Sequence, residues 1–189
     1  MAFKISVTAG HPNYETLPAA KVTHYPLAKE DYRPFAQARF LMGSEGLYLQ
    51  LIAFEVTVSE KSRLHACFMP KNETAWITLT VSESGIDSFA AWEDGKLLRQ
   101  DNEAVSVTPI HGEDLQGIYW GVQALIPYET MLQVWPNASF AAGETMLGNI
   151  FKTCDDPKWE HIGSFFPADL TPEQPFVPDN FGEFLLVNY

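Results

Sequence analysis

The strongest constraint on this chain is a period of two. The segment "LYLQLIAFEVTV" puts Tyr48, Gln50, Ile52, Phe54 and Val56 on one side of an extended chain, and Leu47, Leu49, Leu51, Ala53 and Glu55 on the other. Both sides are largely apolar, which predicts a central strand covered on both faces. The segments "AKVTHYPLA", "FAQARFLMG", "RLHACFMP", "AWITLTV", "AVSVTPI", "GIYWGVQALIP" and "GEFLLVNY" also alternate or run apolar, with β-branched and aromatic residues. The breakers "GSEG", "PKNET", "SESG", "EDGK" and "HGEDLQG" separate many of them, and Asp94-Gly95 marks a two-residue hairpin turn. Short strands at regular spacing predict an all-β fold: an antiparallel β-sandwich of the jelly-roll or immunoglobulin-like type.

One segment departs from this pattern. In "IPYETMLQVWP", Tyr128, Met131, Leu132 and Trp135 recur at helical spacing, Pro127 suits a first helical turn and Pro136 ends the element. A single short helix is expected over residues 127–135. No internal repeat, linker or low-complexity tract interrupts the rest. The expectation is one domain spanning residues 1–189, a length able to bury a core of its own.

Charge narrows the partners. There are 24 acidic and 12 basic residues, giving a net charge of -12, and no basic run. Phosphate backbones and anionic membrane surfaces both repel such a chain, so neither nucleic acid nor membrane is expected as a partner. The start, "MAFKISVTAGHPNYE", has no apolar run of signal-peptide length, so the chain as given is expected in the cytoplasm. A form trimmed from a longer precursor would instead be secreted. Cys67 and Cys154 fit no zinc or redox spacing and read as buried thiols.

Chemistry concentrates in "GNIFKTCDDPKWEHIGSFFP", residues 148–167. Asp155, Asp156 and Glu160 are candidate ligands for a hard cation such as a structural calcium ion, but no EF-hand spacing is present and Asp156-Pro157 is itself a turn signal. Cys154 and His161 supply a thiol and a base, yet no nucleophile elbow accompanies them and packing is the plainer role. Scattered His and Met residues leave a haem-binding redox reading open. No motif supports catalysis, since some pair among 24 acids always suits glycoside hydrolysis. Sugar binding needs aromatic faces for pyranose C–H surfaces and polar groups for hydroxyls. Asn149, Lys152, Asp155, Trp159, His161, Phe165 and Phe166 offer that mixture.

The order of motifs carries more than any one of them. "ALIPYETM" leads into the helix, then come "GNIFKTCDD", "HIGSFFP" and "FVPDNFGEFLL". Over residues 117–189 this succession resembles the family 9 carbohydrate-binding modules and the shorter family 9-like proteins of bacteria. The resemblance implies a non-catalytic jelly-roll sandwich that holds a saccharide or glycan chain end between two aromatic rings, with structural calcium in some members and no other cofactor. Matched position by position, it implies a ligand set of Asn149, Lys152, Asp155, His161 and Phe165, the last standing where the family usually has Trp. Phe181 and Gly182 match the closing pair. The family's N-terminal strand motif is replaced by "LHACFMPKNETAWITLTVSESG", so the second stacking ring falls to Trp76 or Trp92 on position alone. Two alternatives stand beside sugar binding: a sandwich that has lost it and serves as a protein-interaction or accessory domain, and the haem-binding redox domain.

Overall fold

The computed structural model describes residues 2–27, 32–170 and 175–188. Ala28 and Tyr189, the last residues of two expected strand segments, lie outside them. Thirteen strands appear among the described residues: β1 (Phe3–Val7), β2 (Ala20–Val22), β3 (Ala36–Met42), β4 (Gly46–Phe54), β5 (Ser62–Pro70), β6 (Trp76–Ser82), β7 (Gly85–Glu93), β8 (Lys96–Gln100), β9 (Ser106–Asp114), β10 (Gly117–Pro127), β11 (Thr145–Cys154), β12 (His161–Ser164) and β13 (Gly182–Asn188). One helix, α1 (Tyr128–Val134), and three 3-10 turns complete the described structure.

The strands follow the order β8-β7-β6-β5-β11-β13-β1-β3-β4-β10-β9, with β12 on β11 and β2 on β3. Pairing is antiparallel except at β1, which runs parallel to both β13 and β3. The sheet curls over itself into two facing layers. Phe40, Leu49, Leu51, Trp120 and Val122 from one layer and Leu64, Phe68, Leu79, Val81 and Ile150 from the other belong to a single buried cluster. Each such side chain contributes about 1.5–3 kcal/mol by leaving water. The outcome is an all-β sandwich with one short helix.

Strand β4 is central, paired with β3 on one side and β10 on the other. Leu47, Leu49, Leu51 and Ala53 are fully buried in the core, and Tyr48 and Ile52 on the opposite face are covered as well. The segment around Tyr14 supplies part of that cover, its hydroxyl donating to the Leu49 carbonyl. The strand stops at Phe54, so Glu55 begins a turn.

Turns follow the chemistry of their residues. Asp94 and Gly95 both take positive φ, 50° and 73°, between the paired Glu93 and Lys96. This is the left-handed pair that matches the twist of a two-residue hairpin. Residues 111–114, expected as a breaker, instead extend β9, because its register with β10 is continuous from Ser106 to Asp114 and only Leu115 and Gln116 are needed to reverse the chain. In α1, Pro127 stands one residue earlier than expected, as the N-cap and the end of β10. Met131 and Trp135 are fully buried, and the Trp135 indole donates to the Ala75 carbonyl. Among the described residues no helix is long and apolar enough to cross a membrane.

Candidate functional site

Alternation along β5, β6 and β11 puts core residues such as Leu64, Leu79 and Ile150 on one face. The opposite face therefore carries Arg63, His65 and Cys67 of β5, Trp76, Thr78 and Thr80 of β6, and Phe151 and Thr153 of β11. Register brings them side by side: Arg63 opposite Thr153, His65 opposite Phe151 and Thr80, and Trp76 opposite Trp92 of β7. Part of this face is roofed by the chain after β12. Cys67, Phe151 and Leu170 form a second small buried cluster against which Phe176 and Phe181 pack. Beside that roof lies a groove of about 840 Å³, walled by Trp76, Trp92, Arg63, His65 and Phe176, with Thr153, Asp155, Glu160, His161 and Ile162 along one side.

The groove's polar groups divide into committed and available ones. His65 Nδ1 lies 3.0 Å from Thr80 Oγ1 and Nε2 lies 2.9 Å from Thr153 Oγ1. Burial, then Lys152 and Arg63, depress its pKa to about 3, so the ring is neutral. Phe176 stacks on it at 4.2 Å between centroids and a tilt of 31°. The Trp92 indole donates to Thr78 Oγ1. Trp76 is 5% exposed, and its buried indole N–H has no acceptor among the described residues. Such an orphaned donor in a groove wall calls for an explanation, and a ligand or bound water is the usual one. Arg63 pairs through Nε with Asp87 and through Nη1 with the Glu60 and Ser62 carbonyls. The guanidinium is about 29% exposed at the groove, where it carries the local positive charge. The Asp155 carboxylate is exposed and has no partner among the described residues.

Below the groove a buried ionic network runs between the layers. Lys152 Nζ lies 3.2 Å from Glu55 Oε2, 2.5 Å from Ser62 Oγ, 3.1 Å from the Thr153 carbonyl and 3.1 Å from His161 Nε2. Glu55 also accepts from Ser62 Oγ, the Trp120 indole and the Tyr32 hydroxyl. Burial alone would raise the Glu55 carboxyl; Lys152, Ser62 and Trp120 outweigh it and hold the group below the ordinary carboxylate range. Burial likewise lowers the Lys152 ammonium, against the pull of Glu55. His161 is depressed to about 4, first by burial and then by Lys152.

The structure brings Trp76, Trp92, Asp155, Glu160 and His161 together on the groove. It places Asn149, Lys152, Asp156 and Phe165 elsewhere. Asn149 is fully buried, and its amide uses all four hydrogen-bonding positions: Nδ2 donates to the Phe166 and Asn180 carbonyls, and Oδ1 accepts from the Ile150 and Phe166 N–H groups. Phe165 packs against Phe3, Phe166 and Phe184 at the core. Gly182 has a physical reason to be glycine, since a Cβ there would stand 2.4 Å from the Phe166 ring. Asp156 accepts from Ser59 Oγ and the Lys158 N–H. Among the described residues no three His, Cys, Asp or Glu side chains converge as a metal set. Both cysteines are buried free thiols, and burial pushes the Cys67 thiol up. Arg63, His65 and Phe176 were absent from the sequence-derived set. The alternation of "RLHACFMP" already put Arg63 and His65 on one face; nothing in the sequence marked Phe176.

A second cleft, about 730 Å³, opens at the β9–β10 hairpin and is lined by Glu55, Glu83, His111, Glu113, Tyr119 and Trp120 among others. Trp120 is 1% exposed there and its indole N–H is committed to Glu55, so this cleft lacks an available tryptophan face.

No protein-family profile and no curated protein matches the chain. Solved structures do. A Bacteroides uniformis protein assigned to carbohydrate binding superposes with a TM-score of 0.73 at 17% identity, over 98% of this chain and 100% of that one. A family 9 carbohydrate-binding module from Caldicellulosiruptor kristjanssonii, in complex with cellotriose, gives a TM-score of 0.64 at 12% identity over 98% and 94% of the two chains. The structure of such a module from that organism with glucose gives 0.66 at 11% over 98% and 96%. The chain has the fold of the family 9 carbohydrate-binding modules. At such identities it is the fold that is shared, and any ligand contacts must be argued from the groove itself.

Proposed function

We propose that this protein binds saccharides without catalysis, and that the groove beside Trp76, Trp92 and Phe176 receives the sugar. The observation that carries the reading is the composition of that groove. Tryptophan and phenylalanine rings form its walls, while the Arg63 guanidinium and the exposed Asp155 carboxylate stand beside them as donor and acceptor. A pyranose presents two apolar C–H faces and a rim of hydroxyls that both donate and accept, which is what such a site satisfies. In this reading Phe176 and Trp92 are the stacking rings. The similarity in fold to modules crystallised with glucose and cellotriose supports the same class of ligand. The burial of Asn149 and the partial burial of Phe165 against core rings are what a sandwich without sugar binding would show, but the rings and polar groups of the groove offer another site. Isothermal titration with glucose, cellotriose and a panel of neutral oligosaccharides tests the proposal. Saturable binding that is lost in Trp92→Ala supports it, and no heat with any saccharide overturns it.

A further inference from the structure

Lys152 and His161 both match the family's motif, yet they meet the groove differently: His161 lines it, whereas Lys152 is fully buried beneath. The hydrogen bonds fix the imidazole's state. His161 Nδ1 lies 2.6 Å from the Trp159 carbonyl, an acceptor only, so Nδ1 carries a proton. His161 Nε2 lies 3.1 Å from Lys152 Nζ, and an ammonium can only donate, so Nε2 presents its lone pair. A second ring proton would have to point at that ammonium. Its other two protons go to Ser62 Oγ and the Thr153 carbonyl, and Glu55 Oε2 at 3.2 Å holds its charge, so the ammonium cannot turn away without giving up those contacts.

We propose that Lys152 is a positioning residue: it acts through His161, locking the imidazole as the neutral, Nδ1-protonated form and fixing its ring in the groove wall. With both nitrogens committed to the protein and the residue 3% exposed, His161 adds to the groove wall an uncharged edge that offers the ligand no hydrogen bond and does not change charge near neutrality. The titratable groups facing it are Lys152 on β11, Cys154 opposite it in the β11–β12 register, Glu55 beyond β4, and the Tyr25 and Tyr32 rings at 6.1 and 5.6 Å. Burial and Glu55 raise both tyrosines, so neither supplies a negative charge that would stabilise an imidazolium.

The binding arm of this inference rests on the saccharide reading; the protonation arm does not. The experiment is nitrogen-15 NMR of the His161 ring from about pH 8 to about pH 5, in the intact protein and in the double variant Lys152→Met with Glu55→Gln. The pair is replaced together so that no buried charge is stranded. His11, exposed beside Tyr48 and Glu45 and away from Lys152, serves as the internal control. Expected for the native chain is an Nδ1-protonated neutral ring throughout, with cellotriose affinity constant to about twofold over that range. The double variant should show His161 titrating higher than in the native chain, its neutral ring no longer held as the single Nδ1-protonated tautomer, His11 unchanged, and an affinity that varies by more than about twofold over the same range. A native ring that is Nε2-protonated, or already cationic near pH 6, overturns the inference. So does a double variant whose His161 titrates where the native one does. If the ring behaves as expected but no saccharide binds either protein, the saccharide reading fails and the positioning of His161 by Lys152 stands.

Discussion

Lys152 Nζ and Glu55 Oε2 lie 3.2 Å apart, with their side chains 0% and 2% exposed. A charge so enclosed depends on its partner. Lys152→Met would leave the Glu55 carboxylate buried with no cation, and the expected loss of unfolding free energy is about 3–5 kcal/mol. Adding Glu55→Gln should recover much of it, because an uncharged amide still accepts from Ser62 and Trp120. Urea denaturation of the two single variants and the double variant measures this. Additive losses would show that the pair is not coupled.

The histidines make stability depend on pH in a set direction. An unfolded histidine titrates near about 6.5, whereas folded His65 and His161 are depressed to about 3 and about 4. On acidification the unfolded chain takes up protons first. Their contribution is therefore complete above the unfolded value and is lost as pH falls from there toward the folded values. The slope is at most about 1.4 kcal/mol per pH unit for each histidine. Glu55 adds to the loss only at lower pH, since its lowered carboxyl matters below the ordinary carboxylate value. Urea midpoints should fall steadily between about pH 6.5 and about pH 4.5, with roughly half the slope in His65→Gln. A flat profile in the native chain would count against both assignments.

How far the sequence could be read follows from what each signal reports. Alternation reports which face a residue occupies, so β4 was accessible, and the Asp94-Gly95 pair marked its hairpin; Trp76 and Trp92 were candidates on position alone, and only the β6–β7 register sets them side by side. Alternation cannot say which of two faces is roofed. That depended on the chain after β12, which brings Phe176 onto His65 while Phe165 packs against Phe3 and Phe184. Motif matching found Asn149, Lys152 and His161 but not their burial, because a polar residue type reads the same whether its partners are a ligand or the backbone. The parallel run of β1 was equally silent: a five-residue strand carries no mark of its partner's direction.

Asn149 makes this last point testable. Its amide joins β11 to the Phe166 and Asn180 backbone, so Asn149→Ala strands two N–H groups in a closed interior. The expected cost is about 2–4 kcal/mol. Asn149→Asp should cost at least as much, because a carboxylate cannot donate to the two carbonyls. Hydrogen exchange should show the Phe166 amide losing protection in both variants. A variant as stable as the native chain would place Asn149 outside the structural network.

Trp92 and Phe165 separate binding from packing. Trp92 is half-buried in the groove wall with its indole tethered to Thr78, whereas Phe165 sits against three phenyl rings of the core. Trp92→Ala removes a stacking face and should weaken cellotriose binding by about tenfold or more, equivalent to about 1.4 kcal/mol. Its unfolding midpoint should fall as well, because the ring also packs on the core and donates to Thr78, but the affinity loss is read in the folded protein. Phe165→Ala should lower stability by about 2–4 kcal/mol through the cavity it leaves, with affinity held to about twofold in the folded protein. Titration calorimetry and denaturation on the same two variants decide the matter. Loss of binding in Phe165→Ala with unchanged stability would return the site to the position where the family carries its tryptophan.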